Sequence, residues 1–228
     1  MTVLNAFLLS YLKYGDHDAI LHCFTQENGF HSFYAKGIYS SRNKKKPYLF
    51  PLNHLVITVN KTLTENLMAP LSKVELPVDY LDFNDVKANS ILFFTADFLH
   101  QVLRNEGPNF LLFEEIESLR IQIHHRNFDA YLIFLVKFLR ISGLAPLAGN
   151  GDFLNPESGL FEAEISHNHF DKPVSTLWKS ILNCENYDQI LQRQDRSLLL
   201  DSIIIYCHYH INDFYTPNSL AVVRQIFE

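Results

Sequence analysis

Cysteine is sparse in this chain, and its three residues, Cys23, Cys184 and Cys207, are widely separated with no pairing pattern. That usage argues against a disulfide framework and fits a reduced, cytosolic compartment. Long apolar runs are missing too. The longest stretch free of Asp, Glu, Lys and Arg runs from Pro47 to Asn60 and holds two prolines and a histidine. It falls short of the roughly 18–20 apolar residues of a membrane span. The N-terminus has neither the positive start nor the small-residue cleavage site of a signal peptide. No Gly-x-Ser-x-Gly elbow and no Gly-x-x-x-x-Gly-Lys-Ser/Thr loop occurs, so neither a hydrolase nucleophile nor a nucleotide-phosphate cradle is marked. There is no internal repeat and no low-complexity tract. An enzyme is not expected, and no cofactor is implied.

Core-forming material is abundant. The 228 residues are 47% hydrophobic and include 19 Phe and 11 Tyr. Such a chain has enough apolar surface to fold as one large domain or two small ones rather than remain disordered.

Charge is unevenly spread. The whole chain is acidic, with 19 Lys+Arg against 25 Asp+Glu. Residues 1–80 nevertheless hold 8 basic and 6 acidic side chains, a net of +2, while residues 81–228 hold 11 and 19, a net of −8. Between Lys13 and Lys61 there are 7 basic and 3 acidic residues, a net of +4. A polyanion is gripped where positive charge prevails locally, because phosphate contacts supply most sequence-independent affinity. Arg42, Lys44, Lys45 and Lys46, with Lys36 nearby, are therefore the candidate phosphate-binding residues. The plainer alternative is a solvated hairpin tip.

The first 80 residues read as strands. Val3–Leu12, Asp18–Thr25 and Phe30–Lys36 are aromatic and branched, and Gly15, Asn28-Gly29 and Gly37 punctuate them. Alternation along the second puts Ala19, Leu21 and Cys23 on one face and Ile20, His22 and Phe24 on the other. His54–Val59 and Leu63–Val74 complete about five strands, the number of a closed OB-type barrel. OB barrels also stack bases on exposed rings. Tyr39 and Tyr48 flank the basic residues and are the candidate stackers, with burial in the barrel as the competing reading.

From Asn84 the apolar period becomes helical. Ile91, Phe94, Phe98 and Val102 share one face, and further apolar residues cover much of the rest, as in a helix buried mid-bundle. Helices are predicted over Asn109–His124 and Phe128–Ser142, the latter stopped by Gly143 and Pro146. Residues 144–172 read as an irregular insert. Helices resume over Pro173–Asn183, Ser197–Asn212 and Pro217–Phe227. The expected class is α+β: an OB-fold barrel, residues 1–80, carrying DNA contact, then an α-helical domain, residues 81–228, carrying partner contact.

Other clusters are weaker. Cys207-His208-Tyr209-His210, His124-His125 and His167-Asn168-His169 lack the second ligand pair that a tetrahedral zinc site needs, so no metal is expected. Glu114, Glu115 and Glu117 read as the wet side of an amphipathic helix.

Two blocks carry a family resemblance. The first comprises Ala35-Lys36-Gly37 and Ser41-Arg42 ahead of Leu49-Phe50-Pro51. The second runs from Phe134 through Arg140 and Gly143 to Pro146 and is followed by Gly159-Leu160-Phe161. In these blocks, and in the order of its pieces, the chain resembles the bacterial RecO family of recombination mediators nearly end to end. The resemblance implies binding of single- and double-stranded DNA and annealing of complementary strands. It also implies partnership with RecR and with the C-terminal tail of the single-stranded-DNA-binding protein to load RecA at gaps, in the cytoplasm and at the nucleoid. Lys137 and Arg140 are the candidate contacts for that acidic, apolar tail, with helix-end snorkelling as the alternative. A non-enzymatic adaptor with little DNA binding of its own is the competing function. Many relatives hold zinc between two cysteine pairs in the insert, but residues 144–172 contain no cysteine. The family's binding surface is also often more basic than a chain of pI ≈ 6.0 supplies.

Overall fold

The computed structural model describes residues 1–40, 45–60, 63 and 68–227. Five strands come first: β1 (Thr2–Tyr14), β2 (Asp18–Thr25), β3 (Gly29–Ala35), β4 (His54–Val59) and β5 (Ala69–Glu75). They close into a barrel in the order β1-β2-β3-β5-β4, which is the connectivity of an OB fold. The long β1 makes closure possible by serving two neighbours. Its first half pairs with β4 and its second with β2, with a register shift between Leu8 and Ser10 where the strand bends. The seam between β3 and β5 is parallel and short, joining Phe33 to Ala69 and Tyr34 to Pro70.

Strand alternation groups the β2 residues as the sequence predicts, and barrel closure decides which face becomes core. Ala19, Leu21 and Cys23 point inward with Leu4, Ala6, Phe33, Leu55 and Ile57, and all are essentially solvent-free. Gly29 begins β3 at φ +70, and a Cβ there would lie 2.3 Å from the backbone carbon of Gly107. The tight approach lets Phe30 N–H donate to the Glu106 carbonyl at 3.0 Å. Thr25 supports the same turn: its hydroxyl donates to the Gly29 carbonyl at 2.9 Å and accepts from Asn28 N–H at 3.1 Å.

Among the described residues six helices follow: α1 (Val86–Val102), α2 (Phe110–His124), α3 (Ala130–Ile141), α4 (Lys172–Leu182), α5 (Arg193–His210) and α6 (Leu220–Phe227). Asp85 caps α1, accepting from the Lys87 and Ala88 amides at 2.8 and 3.3 Å. The chain separates into two compact units, Met1–Arg120 and Ile121–Glu228. The compact grouping thus keeps α1 and most of α2 with the barrel, although the hydrophobic period changes near residue 84. Two sequence readings are corrected here. The first concerns α1, which packs on β1 and leaves Phe93 exposed. The mid-bundle helix is instead α3, buried continuously from Ala130 to Leu139.

In the second unit α3, α4 and α5 pack together. Trp178 of α4 is fully buried and donates from Nε1 to Ser202 Oγ of α5 at 2.9 Å. Asp129, just before α3, accepts from Arg196 Nε at 2.5 Å, Arg196 Nη2 at 3.1 Å and the Leu191 amide at 3.2 Å. The second correction is that residues 144–172 are not wholly irregular. They contain a hairpin, β6 (Phe153–Asn155) with β7 (Leu160–Glu162). Tyr206 and His210 of α5 secure the segment by bonding the Leu144 and Pro156 carbonyls at 2.9 and 2.7 Å.

Candidate nucleic-acid interface

The basic segment leaves the barrel at the end of β3. Asp18, the first residue of β2, accepts from the Tyr34 hydroxyl and, at 2.6 Å, from the Gly37 amide. Those two bonds, chiefly the first, hold its carboxyl below the usual carboxylate range, and nearby Lys36 adds a smaller electrostatic pull. Gly37 takes φ +66, so the chain reverses just after Lys36, which stays exposed. Tyr39 N–H then donates to the His17 carbonyl at 2.8 Å, tying this exit to the β1–β2 turn.

Arg42 and Lys44 lie outside the described residues. Lys45 leads into a single 3-10 turn, Lys46–Tyr48, that Pro47 favours at its start. Lys46 is exposed and Lys45 partly so. Beyond them Asn53 donates from its side chain to the Tyr48 carbonyl at 3.2 Å, and Leu49 is buried. The described cations Lys36, Lys45 and Lys46 therefore bracket the stretch in which Arg42 and Lys44 fall.

Tyr39 and Tyr48 are both half-buried. Both pack part of their rings against the barrel core, and burial pushes the Tyr39 phenol up. Sequence adjacency to the lysines could not show this, because it follows from how the chain folds back over the barrel. The outer face of β2 and β3 holds no lysine in its cross-strand pairs and so gives no charge signal. There Ile20, His22, Ser32 and Tyr34 form cross-strand pairs, Ile20 with Tyr34 and His22 with Ser32. The alternation of β2 puts His22 on that face.

The second unit carries a concavity of about 420 Å³ lined by Arg140, Gly143, Pro146, Leu147, Phe161 and Lys179, among others. Arg140 is exposed at the end of α3. Lys179 donates to the Gly151 carbonyl at 2.5 Å and lies 5.0 Å from the Phe161 ring centre. Lys137 is not among the lining residues. It is buried, with its ammonium 4.3 Å from the centre of the Tyr187 ring.

The remaining clusters do not assemble chemistry. Burial raises the Cys23 thiol strongly and the Cys207 thiol to about 12, so both stay protonated and poorly nucleophilic at neutral pH. His208 bonds Thr216 while His210 bonds Pro156, which draws the two histidines to different partners. Among the described residues no group of three or more His, Cys, Asp or Glu side chains converges as metal ligands would. Glu117 departs from a simple wet helix face, because it accepts from buried Arg120 at 2.6 Å and stands 3.7 Å from His54. No described helix is long and apolar enough to cross a membrane.

Comparison with known proteins places this geometry. The profile of the family described as Recombination protein O N terminal matches residues 1–77, the barrel itself. A DNA repair protein RecO of Phocaeicola vulgatus is 30% identical over 233 residues, covering 96% of each chain. The chain belongs to the RecO family. Other RecO proteins agree along nearly the whole length. That of Christiangramia forsetii is 29% identical and that of Flavobacterium psychrophilum 26% identical, each covering 98% of both chains. The RecO match therefore extends well past the barrel, through the helices and the insert.

Proposed function

We propose that this RecO-family chain works in DNA repair and recombination as a non-enzymatic mediator that holds DNA through its barrel and other repair proteins through its helices. The observation that carries the reading is the coincidence of an OB barrel with the chain's strongest local excess of positive charge, net +4 between Lys13 and Lys61. Lys36, Arg42, Lys44, Lys45 and Lys46 contact backbone phosphates, so binding is largely indifferent to sequence and accepts single- or double-stranded DNA. The acidic remainder keeps further DNA away within about one Debye length, ~8 Å at physiological salt. Annealing of complementary strands, and RecA loading together with RecR, complete the proposed role.

Partner contact rests on the concavity beside α3. Its apolar lining, with Arg140 at one side and Lys179 at another, suits a peptide end that is both apolar and acidic. The C-terminal tail of the single-stranded-DNA-binding protein has that chemistry. Arg140→Glu is expected to weaken capture of such a peptide severalfold while leaving oligonucleotide binding unchanged.

The deciding experiment is fluorescence anisotropy of a labelled oligonucleotide titrated with the full chain at low salt, without partners. Micromolar or tighter binding is expected. No binding would overturn DNA contact and leave an adaptor that relies on RecR for DNA.

A further inference from the structure

The outer face of β2 and β3 holds a hollow of about 410 Å³, within the size range of small-ligand sites. His22, Phe30 and Ser32 line it, with Met68 and Arg104 exposed among its walls. The His22 and Phe30 rings lie nearly parallel, 15° apart with centres 6.0 Å from one another. Ser32 Oγ, 2.8 Å from His22 Nδ1, fixes the imidazole in that attitude. Behind these rings stands His100 of α1, its centre 5.2 Å from that of His22 and 6.0 Å from that of Phe30.

The chemistry of the hollow is narrow. Burial keeps the His22 imidazole below its ordinary range and brings His100 down to about 4, with Arg104 pushing both the same way. Both rings are therefore neutral at pH 7, and Arg104 supplies the formal charge. No carboxylate lines the hollow, and among the described residues none forms an ion pair with Arg104. The Nε2 atom of His100 is shielded from solvent and has no hydrogen-bond partner. A simple packing seam would close over such rings. Here about 410 Å³ of space remains beside the His22 and Phe30 rings. Flat neutral rings, a polarizable thioether and one guanidinium together suit a planar heterocycle carrying a single negative charge.

We propose that this hollow is a nucleotide subsite, in which one unpaired base of a single strand lies against the His22 and Phe30 rings and its phosphate meets Arg104. The proposal rests on the DNA-binding reading above and deepens it by separating base contact here from backbone contact along the basic segment. A base within a duplex has both faces already stacked, so only single strands, or strands locally opened, fill the site. Stacking accepts any base, and sequence preference is weak.

The test compares a labelled 15-mer of thymidylate with an abasic strand of the same length and backbone charge, using the full-length chain at low salt. The wild-type chain is expected to favour the base-bearing strand by roughly five-fold or more, the low end of what one stacked base contributes. Phe30→Leu is expected to collapse that ratio toward one, with its melting transition checked in parallel. Arg104→Ala, at an exposed position, is expected to weaken both strands and to flatten the log–log salt dependence by about 0.7. Equal wild-type affinity for the two strands overturns the subsite while sparing DNA binding. So does an unchanged ratio in a folded Phe30→Leu protein. If that variant fails to fold, an unaltered salt slope in Arg104→Ala overturns it instead. A wild-type chain that binds neither strand brings down the DNA-binding reading itself.

Discussion

Single residues show where backbone geometry outweighs composition. Gly29 needs its missing side chain twice over, for a positive φ and because a Cβ there would come within 2.3 Å of the Gly107 backbone carbon. Gly29→Ala is expected to cost about 2 kcal/mol or more, because strain of 1–3 kcal/mol at the dihedral adds to a backbone clash. Urea unfolding measures it, and a change below about 0.5 kcal/mol would refute the close approach. Tyr39 separates two roles that sequence leaves entangled. Its ring packs against the barrel core, so Tyr39→Ala should cost about 1–3 kcal/mol of stability and change oligonucleotide affinity less than twofold. The opposite pattern would make it a stacking platform. The sequence leaves stacking and burial in the barrel both open for this tyrosine, and the folded chain shows the core surface its ring packs against.

Elements depend on a few polar ties between otherwise apolar partners. Helix α3 is buried along ten consecutive residues, so apolar packing alone leaves its rotation loosely specified. Asp129 supplies direction by accepting three hydrogen bonds, from two Arg196 nitrogens and the Leu191 amide. Asp129→Ala is expected to destabilise by about 2–3 kcal/mol, since it strands a backbone donor and a partly buried guanidinium. Thermal unfolding with a two-state check reports it, and a melting temperature within a degree of wild type would contradict the role. The four-cation substitution Arg42, Lys44, Lys45 and Lys46 to Ala probes the segment between β3 and β4. Removing about four phosphate contacts should flatten a single-strand salt slope by roughly 3, at about 0.7 per contact. An unchanged titration curve would remove this segment from the interface.

At the scale of the whole molecule, stability responds to pH through histidines and carboxylates whose titration the fold shifts. His22, His54 and His100 all have imidazoles held below their ordinary range, chiefly by burial. The unfolded chain therefore takes up protons first as pH falls, and ΔG of unfolding rises with pH. Their contribution is fully present above the ordinary value of 6.5 and is lost on acidification, down to about 4 for His100. Asp18 and Asp152, whose carboxyls are held low, add stability present above the ordinary value of 3.8 and lost only at lower pH. The melting temperature is thus expected to decline between pH 6.5 and 4, and His100→Gln to make that decline shallower. A curve flat to pH 4 would refute the linkage.

Sequence by itself determined the barrel strands, the helices and their order, though not the β6–β7 hairpin. Alternation of apolar residues is a local property, and in β2 it groups Ala19, Leu21 and Cys23 on one face, which the barrel turns inward. Glycine positions marked the turns, and charge counting found the basic segment. Tertiary structure decided what no local pattern encodes. It joined β3 to β5 across the barrel, grouped α1 with the strands, and sent Lys137 toward Tyr187 while leaving Arg140 at a concavity. It also set Arg104 and His100 from one stretch of chain beside His22 and Phe30 from another. The physical reason is that periodicity reports only which side of an element avoids water. Which surface then covers that side depends on closure and packing among segments distant along the chain.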